Sequence, residues 1–244
     1  TFYNEYKNSL IVVDGGNPDN TEHVRNIINE YGGHVYAWIL THYHPDHVCA
    51  FNKIMRDPQG ITVENIYASP MDYDEYISVA QYWDIPEDFA DFLDVTKDKN
   101  VTYLRAGHEL TLRDLKVKVY SSYDSDIAAY GDIPNNASLV FKIMGERDSI
   151  LFCGDIHSAK LADDLIKKWG DELKAEYIQP GHHGNNSIKY SFYDAVEPQI
   201  ALFDAPEWLM TGEQFKAKAL NEYFAGKGVS VYDYTTTPNE FEFK

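Results

Sequence analysis

Cysteine is almost missing: 244 residues contain two, Cys49 and Cys153. Two thiols that far apart form neither a zinc-finger spacing nor a disulfide framework. Each has apolar neighbours, which predicts two buried free thiols. Long apolar runs are missing too. None approaches the roughly 20 residues of a membrane span, and the N-terminus carries no signal-peptide pattern. The chain starts at Thr1 without an initiator methionine. A leader or a first strand could therefore lie upstream, and the compartment, cytoplasmic or exported, stays open. Basic residues are scarce, with 21 Lys and Arg against 39 Asp and Glu, for a formal net charge of −18. That balance argues against a broad nucleic-acid footprint, which needs a basic face. It leaves room for a phosphate substrate at a bound cation, whose charge dominates its surroundings.

What is present fills a substantial core. Hydrophobic residues make up 44% of the chain and aromatic residues 14%, enough for one large domain over 1–244, the unit this length predicts. Residues 9–13 read as a strand ending in Asp14-Gly15-Gly16. A helix entered near Asn20 or Thr21 follows, with Val24, Ile27, Ile28 and Tyr31 at helical spacing, and Gly32-Gly33 stops it. A buried strand at 35–40, a helix at 47–55 and a strand at 61–68 continue the alternation, which implies parallel neighbours in an α/β layer architecture. Residues 70–98, rich in Asp, Glu and Tyr, predict helices at 71–82 and 87–95 that overhang the strand ends. From 101 onward the texture changes. Short runs at 101–104, 109–112, 115–121, 138–144 and 149–153 predict an antiparallel stretch. A helix at 158–169, strands at 176–179 and 199–203, a helix at 212–224 and a strand at 229–234 complete the chain. Two successive β-then-α halves suit two similar layers packed face to face.

The densest chemistry is Thr41-His42-Tyr43-His44-Pro45-Asp46-His47, directly after the 35–40 strand. Residues two apart on an extended chain share a side, so His42 and His44 can converge on one metal ion. Pro45 keeps His44 extended and suits the first position of a helix. Asp46 and His47 then fall in the next turn. Imidazole and carboxylate together suit zinc and its first-row neighbours. Farther on, Gly154-Asp155 ends an apolar strand, where a carboxylate can bridge two ions. Gly181-His182-His183-Gly184 ends another; one histidine there can ligate while the other reaches substrate. The spacing does not say which does which. The loop Asn135-Asn136-Ala137-Ser138 can supply amide or hydroxyl groups, and His157 is a possible pocket residue. Tyr43, Asn185, Asn186, Ser187 and Trp208 are further lining candidates. His23, His34 and His108 read as surface or loop residues.

In this order, Asp14-Gly15-Gly16, Thr41 to His47, Gly154-Asp155 and the His182-His183 turn resemble the metallo-β-lactamase superfamily of metal-dependent hydrolases. Asn136-x-Ser138-Leu139-Val140, Gly154-Asp155 and His182-His183-Gly184 look more narrowly like the hydrolase-like domain of bacterial competence DNA-uptake proteins and the related phosphorylcholine esterases. The resemblance implies an αββα four-layer sandwich holding two divalent ions, zinc first, with manganese or iron as alternatives. His42 and His44 would bind one ion, Asp46 and His47 the other, and Asp155 would bridge them. His182 or His183 would close the second site, and Asp14 would support the ligand loop. Many superfamily members have a third histidine in mid-chain for the first ion; here the 135–138 loop stands in its place. The implied activity is hydrolysis of a small or polymer-attached ester, phosphodiester type first. Asp46 or Asp155 would orient water, and the spare histidine of the 182–183 pair would assist the leaving group. Hydrolysis of a lactam, lactone or thioester, or a metal-binding module with little turnover, are the alternatives.

Overall fold

A computed structural model describes residues 1–124, 126–185, 188–233 and 238–244. Two sheets stack face to face, each covered on its outer side by helices. The first sheet has the order β1-β2-β3-β4-β5, built from β1 (Phe2–Asn4), β2 (Ser9–Val13), β3 (His34–Leu40), β4 (Thr62–Ala68) and β5 (Val101–Tyr103). β1 is antiparallel to β2 and the other neighbours run parallel. The helices α1 (Thr21–Glu30), α2 (Pro45–Arg56), α3 (Tyr73–Val79) and α4 (Pro86–Thr96) belong to this half.

The second half holds β6 (Glu109–Leu112), β7 (Leu115–Ser121), β8 (Val140–Met144), β9 (Ser149–Phe152), β10 (Tyr177–Gln179), β11 (Ile200–Phe203) and β12 (Ser230–Asp233). Their order is β12-β11-β10-β9-β8-β7-β6. β6 to β9 form an antiparallel meander, and β9 to β12 run parallel. α5 (Ile133–Asn136), α6 (Ala159–Trp169), α7 (Tyr190–Val196), α8 (Glu207–Thr211) and α9 (Lys216–Gly226) accompany it.

Three buried clusters correspond to the three interfaces of a four-layer stack. Ile11, Ala37 and Ile39 from the first sheet meet Val117, Val119, Phe141, Ile143 and Ile150 from the second. Trp38, Phe51 and Phe92 pack between the first sheet and its helices. Leu151, Ile178, Leu165, Phe192 and Phe224 do the same for the second. β3 therefore buries both faces, which is why its sequence reads as a continuous apolar run rather than an alternating one. Each fully buried aromatic contributes about 1.5–3 kcal/mol of transfer free energy. The αββα architecture matches the sequence expectation, and both cysteines are buried and free. Among the described residues no helix is long and apolar enough to cross a membrane.

Four readings change. The 101–104 run does not join the antiparallel stretch; β5 returns through α4 to lie parallel to β4, and so short a run carries no signal of its neighbour. The helix expected at 212–224 begins only at Lys216, as α9; Gly212 is extended (φ −70°, ψ 123°) and instead ends the separate short helix α8. Its own Cβ would lie 2.7 Å from the Trp208 carbonyl oxygen. The helix expected at 71–82 is confined to α3, which Asp72 opens by accepting a hydrogen bond from the Glu75 amide. The strand expected at 229–234 is β12; Tyr234 lies outside the described residues.

Candidate metal centre

The parallel strands deliver their carboxyl ends to one edge of the stack, the usual place for a site in parallel sheets. β2 ends at Asp14, β3 at Thr41 to His47, β9 at Asp155, β10 at His182-His183, and β11 at Asp204. Local chemistry fixes each turn. His44 is extended (φ −72°, ψ 155°) ahead of Pro45, which opens α2, so Asp46 and His47 occupy the first helical turn. Asp14 is left-handed (φ 51°) and its carboxylate accepts from the Thr41 amide and hydroxyl, both at 2.8 Å. Gly154 (φ +50°) passes so close to the neighbouring loop that a Cβ would lie 2.6 Å from Ser138 Cβ. Ser138 Oγ accepts from the Asp155 amide at 3.0 Å. Gln179 ties three strand ends together. Its Oε1 accepts from the Cys153 and Gly154 amides, while its Nε2 donates to Pro180 O and Asp204. His182 (φ 52°) and His183 (φ 56°) are both left-handed, a strained pair of the kind found where function over-determines the backbone.

Two groups of donor atoms result, each with its atoms within 4.8 Å of one another: Asp46, His47, Asp155 and His183, and His42, His44 and Asp155. Asp155 belongs to both. Its Oδ1 lies 3.2 Å from His47 Nε2 and its Oδ2 3.8 Å from His42 Nε2 and 3.4 Å from His183 Nε2. His183 Nε2 also lies 3.1 Å from Asp46 Oδ2.

Each histidine of the two groups has a partner on its other ring nitrogen. His42 Nδ1 meets Thr41 Oγ1 at 3.1 Å, and His47 Nδ1 meets Asp14 Oδ2 at 2.8 Å. His183 Nδ1 meets the Asp204 carbonyl at 3.0 Å, and His44 Nε2 meets Asp84 Oδ1 at 2.9 Å. Such partners fix the tautomer and the ring orientation of a metal ligand. They leave His42 Nε2, His47 Nε2, His183 Nε2 and His44 Nδ1 for the centre.

The electrostatics are those of a site short of positive charge. Burial pulls the His42 imidazole well below its ordinary range, and His47 adds to the effect. Burial pulls the same way on His47 and His183, but the facing carboxylates, Asp155 foremost, overcome it and hold both well above the ordinary value. Burial alone would raise Asp155, yet His183, His47 and His42 bring its carboxyl well below the usual carboxylate range.

The residues present fit metal ions. His42 Nε2, His47 Nε2 and Asp155 Oδ1 are buried and have no hydrogen-bond partner among the described residues, a cost of roughly 1–3 kcal/mol each unless something binds them. Asp14, Asp46, Asp84, Asp155 and Asp204 surround the centre, and two divalent cations come close to balancing them. An imidazole and carboxylate set of this kind suits zinc, manganese or iron.

Residues 2–115 match the family model described as Metallo-beta-lactamase superfamily. That match covers a little under half of the chain. Three solved structures share the metallo-β-lactamase fold at low identity. CmlA, a diiron β-hydroxylase from Streptomyces venezuelae, aligns at TM-score 0.57 and 13% identity, over 83% of this chain and 44% of its own. This chain thus spans less than half of that relative. YhfI from Bacillus subtilis aligns at 0.52 and 11%, over 93% and 85%. Igni18, a metallo hydrolase from the archaeon Ignicoccus hospitalis, aligns at 0.51 and 15%, over 86% and 81%. No protein with a curated description matches the chain significantly by sequence.

Within this metallo-β-lactamase fold the remaining candidates separate. His183, not His182, enters the second donor group; His182 Nε2 stands 3.9 Å from Asp155 Oδ2 while its ring neighbours His157, 5.1 Å between centroids. The 135–138 loop acts first as a support. Asn136 Oδ1 accepts from the His157 and Ser158 amides, which, with Ser138, holds the Asp155 turn. Tyr43 leaves the pocket altogether. It is 1% exposed and stacks on Phe89 at 3.7 Å, because side chains alternate along the extended ligand strand and the residue between two inward histidines must face the core under α4. Trp208 is exposed against Phe215, and Asn185 accepts from the Lys216 amide. Asn186 and Ser187 lie outside the described residues. His34 starts β3, at the end opposite the centre, beside Thr62; His23 and His108 are exposed. Sequence reading missed Asp84, Asp204 and Gln179. Only Asp204, following a short apolar strand as Asp14 and Asp155 do, left a signal that could have been used.

Proposed function

We propose that the protein is a binuclear metal-dependent hydrolase of phosphoesters, phosphodiesters first. One observation carries the binuclear part: a single buried carboxylate, Asp155, is shared by two donor groups, and in each group one ring nitrogen that faces it, His42 Nε2 and His47 Nε2, has no hydrogen-bond partner among the described residues. His42, His44 and Asp155 would hold one ion, and Asp46, His47, Asp155 and His183 the other. Bound ions supply a water acidified toward neutral pH and a polarised, clamped ester.

The chain's own groups do the rest. Asp14, Asp84, Asp204 and Thr41 orient the imidazoles, so little reorganisation is left for the moment of reaction. Asp46, whose side chain is 38% exposed against 3% for Asp155, is the carboxylate open to the cleft. It is placed to accept a hydrogen bond from the attacking water. His182 turns its Nε2 toward the Asp155 carboxylate, 3.9 Å away, which favours the neutral tautomer with its proton on that atom. That N–H is placed to donate to charge developing on the ester oxygen.

The phosphoester preference rests on the resemblance of the Asn136 to Val140, Gly154-Asp155 and His182 to Gly184 motifs to the competence and phosphorylcholine esterase branch. Purified protein loaded in turn with zinc, manganese and iron, and offered phosphodiesters, lactams, lactones and thioesters, tests it. Turnover of phosphodiesters above all others is expected. Turnover of a lactam, lactone or thioester alone would replace this reading, and full metal loading without turnover of any would favour a binding module.

A further inference from the structure

Gln179 ends β10, the strand between β9 and β11, and is buried at 8% exposure. Its side chain is used in full, and its two ends serve different strands. Oε1 accepts from the Cys153 amide at 3.0 Å and the Gly154 amide at 3.1 Å. Nε2 donates to the Pro180 carbonyl at 2.7 Å and to both carboxylate oxygens of Asp204 at 3.2 Å. Two N–H groups lie on one side and a carbonyl with a carboxylate on the other, so the partners themselves assign oxygen and nitrogen. A carboxylate in this place could not donate, and an aliphatic chain could neither donate nor accept.

Each end leads to a donor of the metal centre. Gly154 is left-handed and directly precedes Asp155, the carboxylate shared by both donor groups. The Gly154 carbonyl also accepts from the His182 amide at 3.0 Å, so the histidine turn hangs on the same glycine. At the other end, Asp204 meets His183 Nδ1 twice, through its carbonyl at 3.0 Å and its Oδ2 at 3.5 Å. The two donors then face one another, with Asp155 Oδ2 3.4 Å from His183 Nε2. Left-handed residues such as His182 and His183 persist only where the surroundings over-determine them.

We propose that Gln179 is a positioning residue of the metal centre, setting Asp155 against His183 while lying outside both donor groups. Its oxygen serves both groups, because both contain Asp155. Its nitrogen serves only the group of Asp46, His47, Asp155 and His183. The proposal rests on the two-ion reading for what these donors hold, and on nothing about the substrate.

Three variants separate the two ends of the amide. Gln179→Leu removes both, and metal affinity should fall at least about tenfold at each donor group. Gln179→Glu keeps an acceptor for the Cys153 and Gly154 amides but sets a carboxylate oxygen against Asp204. A loss of at least about tenfold should then fall on the His183 group alone. Adding Asp204→Asn to Gln179→Glu restores an N–H between the two side chains in the reverse direction, and should recover at least about threefold. Competition with a chromophoric chelator measures the affinities, and His44→Ala, which opens the other group, assigns them. Cobalt(II) as the probe ion reports ligand geometry through its visible bands, which should change in Gln179→Glu and return in the double variant. Thermal unfolding of the metal-free proteins monitors the fold. Lower stability with wild-type affinities and spectra would make Gln179 a structural clamp and overturn the proposal. An equal loss at both groups in Gln179→Glu, or no recovery in the double variant, would overturn it as well. Wild-type protein that binds one ion at saturation would instead sink the two-ion reading. Gln179→Leu should weaken that ion too, since Asp155 serves either group, and an unchanged affinity there would refute the positioning role.

Discussion

Asp84 offers the sharpest perturbation, because it stands 40 residues from the histidine it holds. Its carboxylate is fully shielded and accepts from His44 Nε2 at 2.9 Å, while the other oxygen accepts from the Gln81 amide at 2.6 Å. A hydrogen bond to a charged group contributes about 1.5–3 kcal/mol. Losing the outer partner of a ligating histidine costs roughly 10–100-fold in metal affinity, and the two ranges agree, since 1.4 kcal/mol is tenfold. Asp84→Ala removes the acceptor and strands the Gln81 amide, so about 100-fold weaker binding is expected at the His42, His44 and Asp155 group. Asp84→Asn keeps an acceptor of the same shape without the charge, and a loss nearer tenfold is expected. Competition with a chromophoric chelator measures the affinities. Elemental analysis should find the second group, Asp46, His47, Asp155 and His183, still loaded. Wild-type affinity in both variants, or an equal loss at both groups, would refute the argument that Asp84 orients His44 for one ion.

Other outcomes rest on the same geometry. Gly154→Ala places a methyl 2.6 Å from Ser138 Cβ, at a left-handed φ, and should cost at least about 1–3 kcal/mol in urea unfolding; a neutral result would mean the Asp155 turn is slack. Ser138→Ala leaves the buried Asp155 amide without its acceptor, for about 1–3 kcal/mol. Its metal affinity should fall with its stability, and a loss of stability alone would separate the two. Cys49 is pushed up to about 12 by burial, then by Asp88, and Cys153 is pushed higher still by burial. Neither should react with a thiol reagent at pH 8 until denaturant exposes two equivalents; rapid native labelling would contradict the burial of both. Phe141→Ala empties the space between the sheets where Phe141 stacks on Phe152 at 5.0 Å, an expected loss of about 3–5 kcal/mol by thermal or urea unfolding.

The site is legible in the chain to the extent that it is built on strand ends. A run such as 35–40 announces a strand by its apolar continuity, and the residues just past its end must emerge at the sheet edge. His42, His44, Asp46, His47, Asp155 and the His182-His183 pair can therefore be grouped from sequence alone. Asp84 cannot. It lies in an acidic segment where one carboxylate looks like the next, and only the packing of α4 on α2, with α3 against α4, brings it to His44. The same limit applies to Tyr43, whose alternation with two histidines hides a core residue inside a polar motif. The strand β5 is read from sequence, but its pairing with β4 is not, because three residues carry no record of the strand they will pair with.

The proposed hydrolytic centre requires two ions sharing Asp155. Anomalous scattering from crystals of the metal-loaded protein, collected on either side of the metal edge, measures this directly. Two peaks are expected, one among His42, His44 and Asp155 and one among Asp46, His47, Asp155 and His183, with Asp155 touching both. A single peak at full loading, or ions bound away from Asp155, would contradict the binuclear centre and the hydrolytic function built on it.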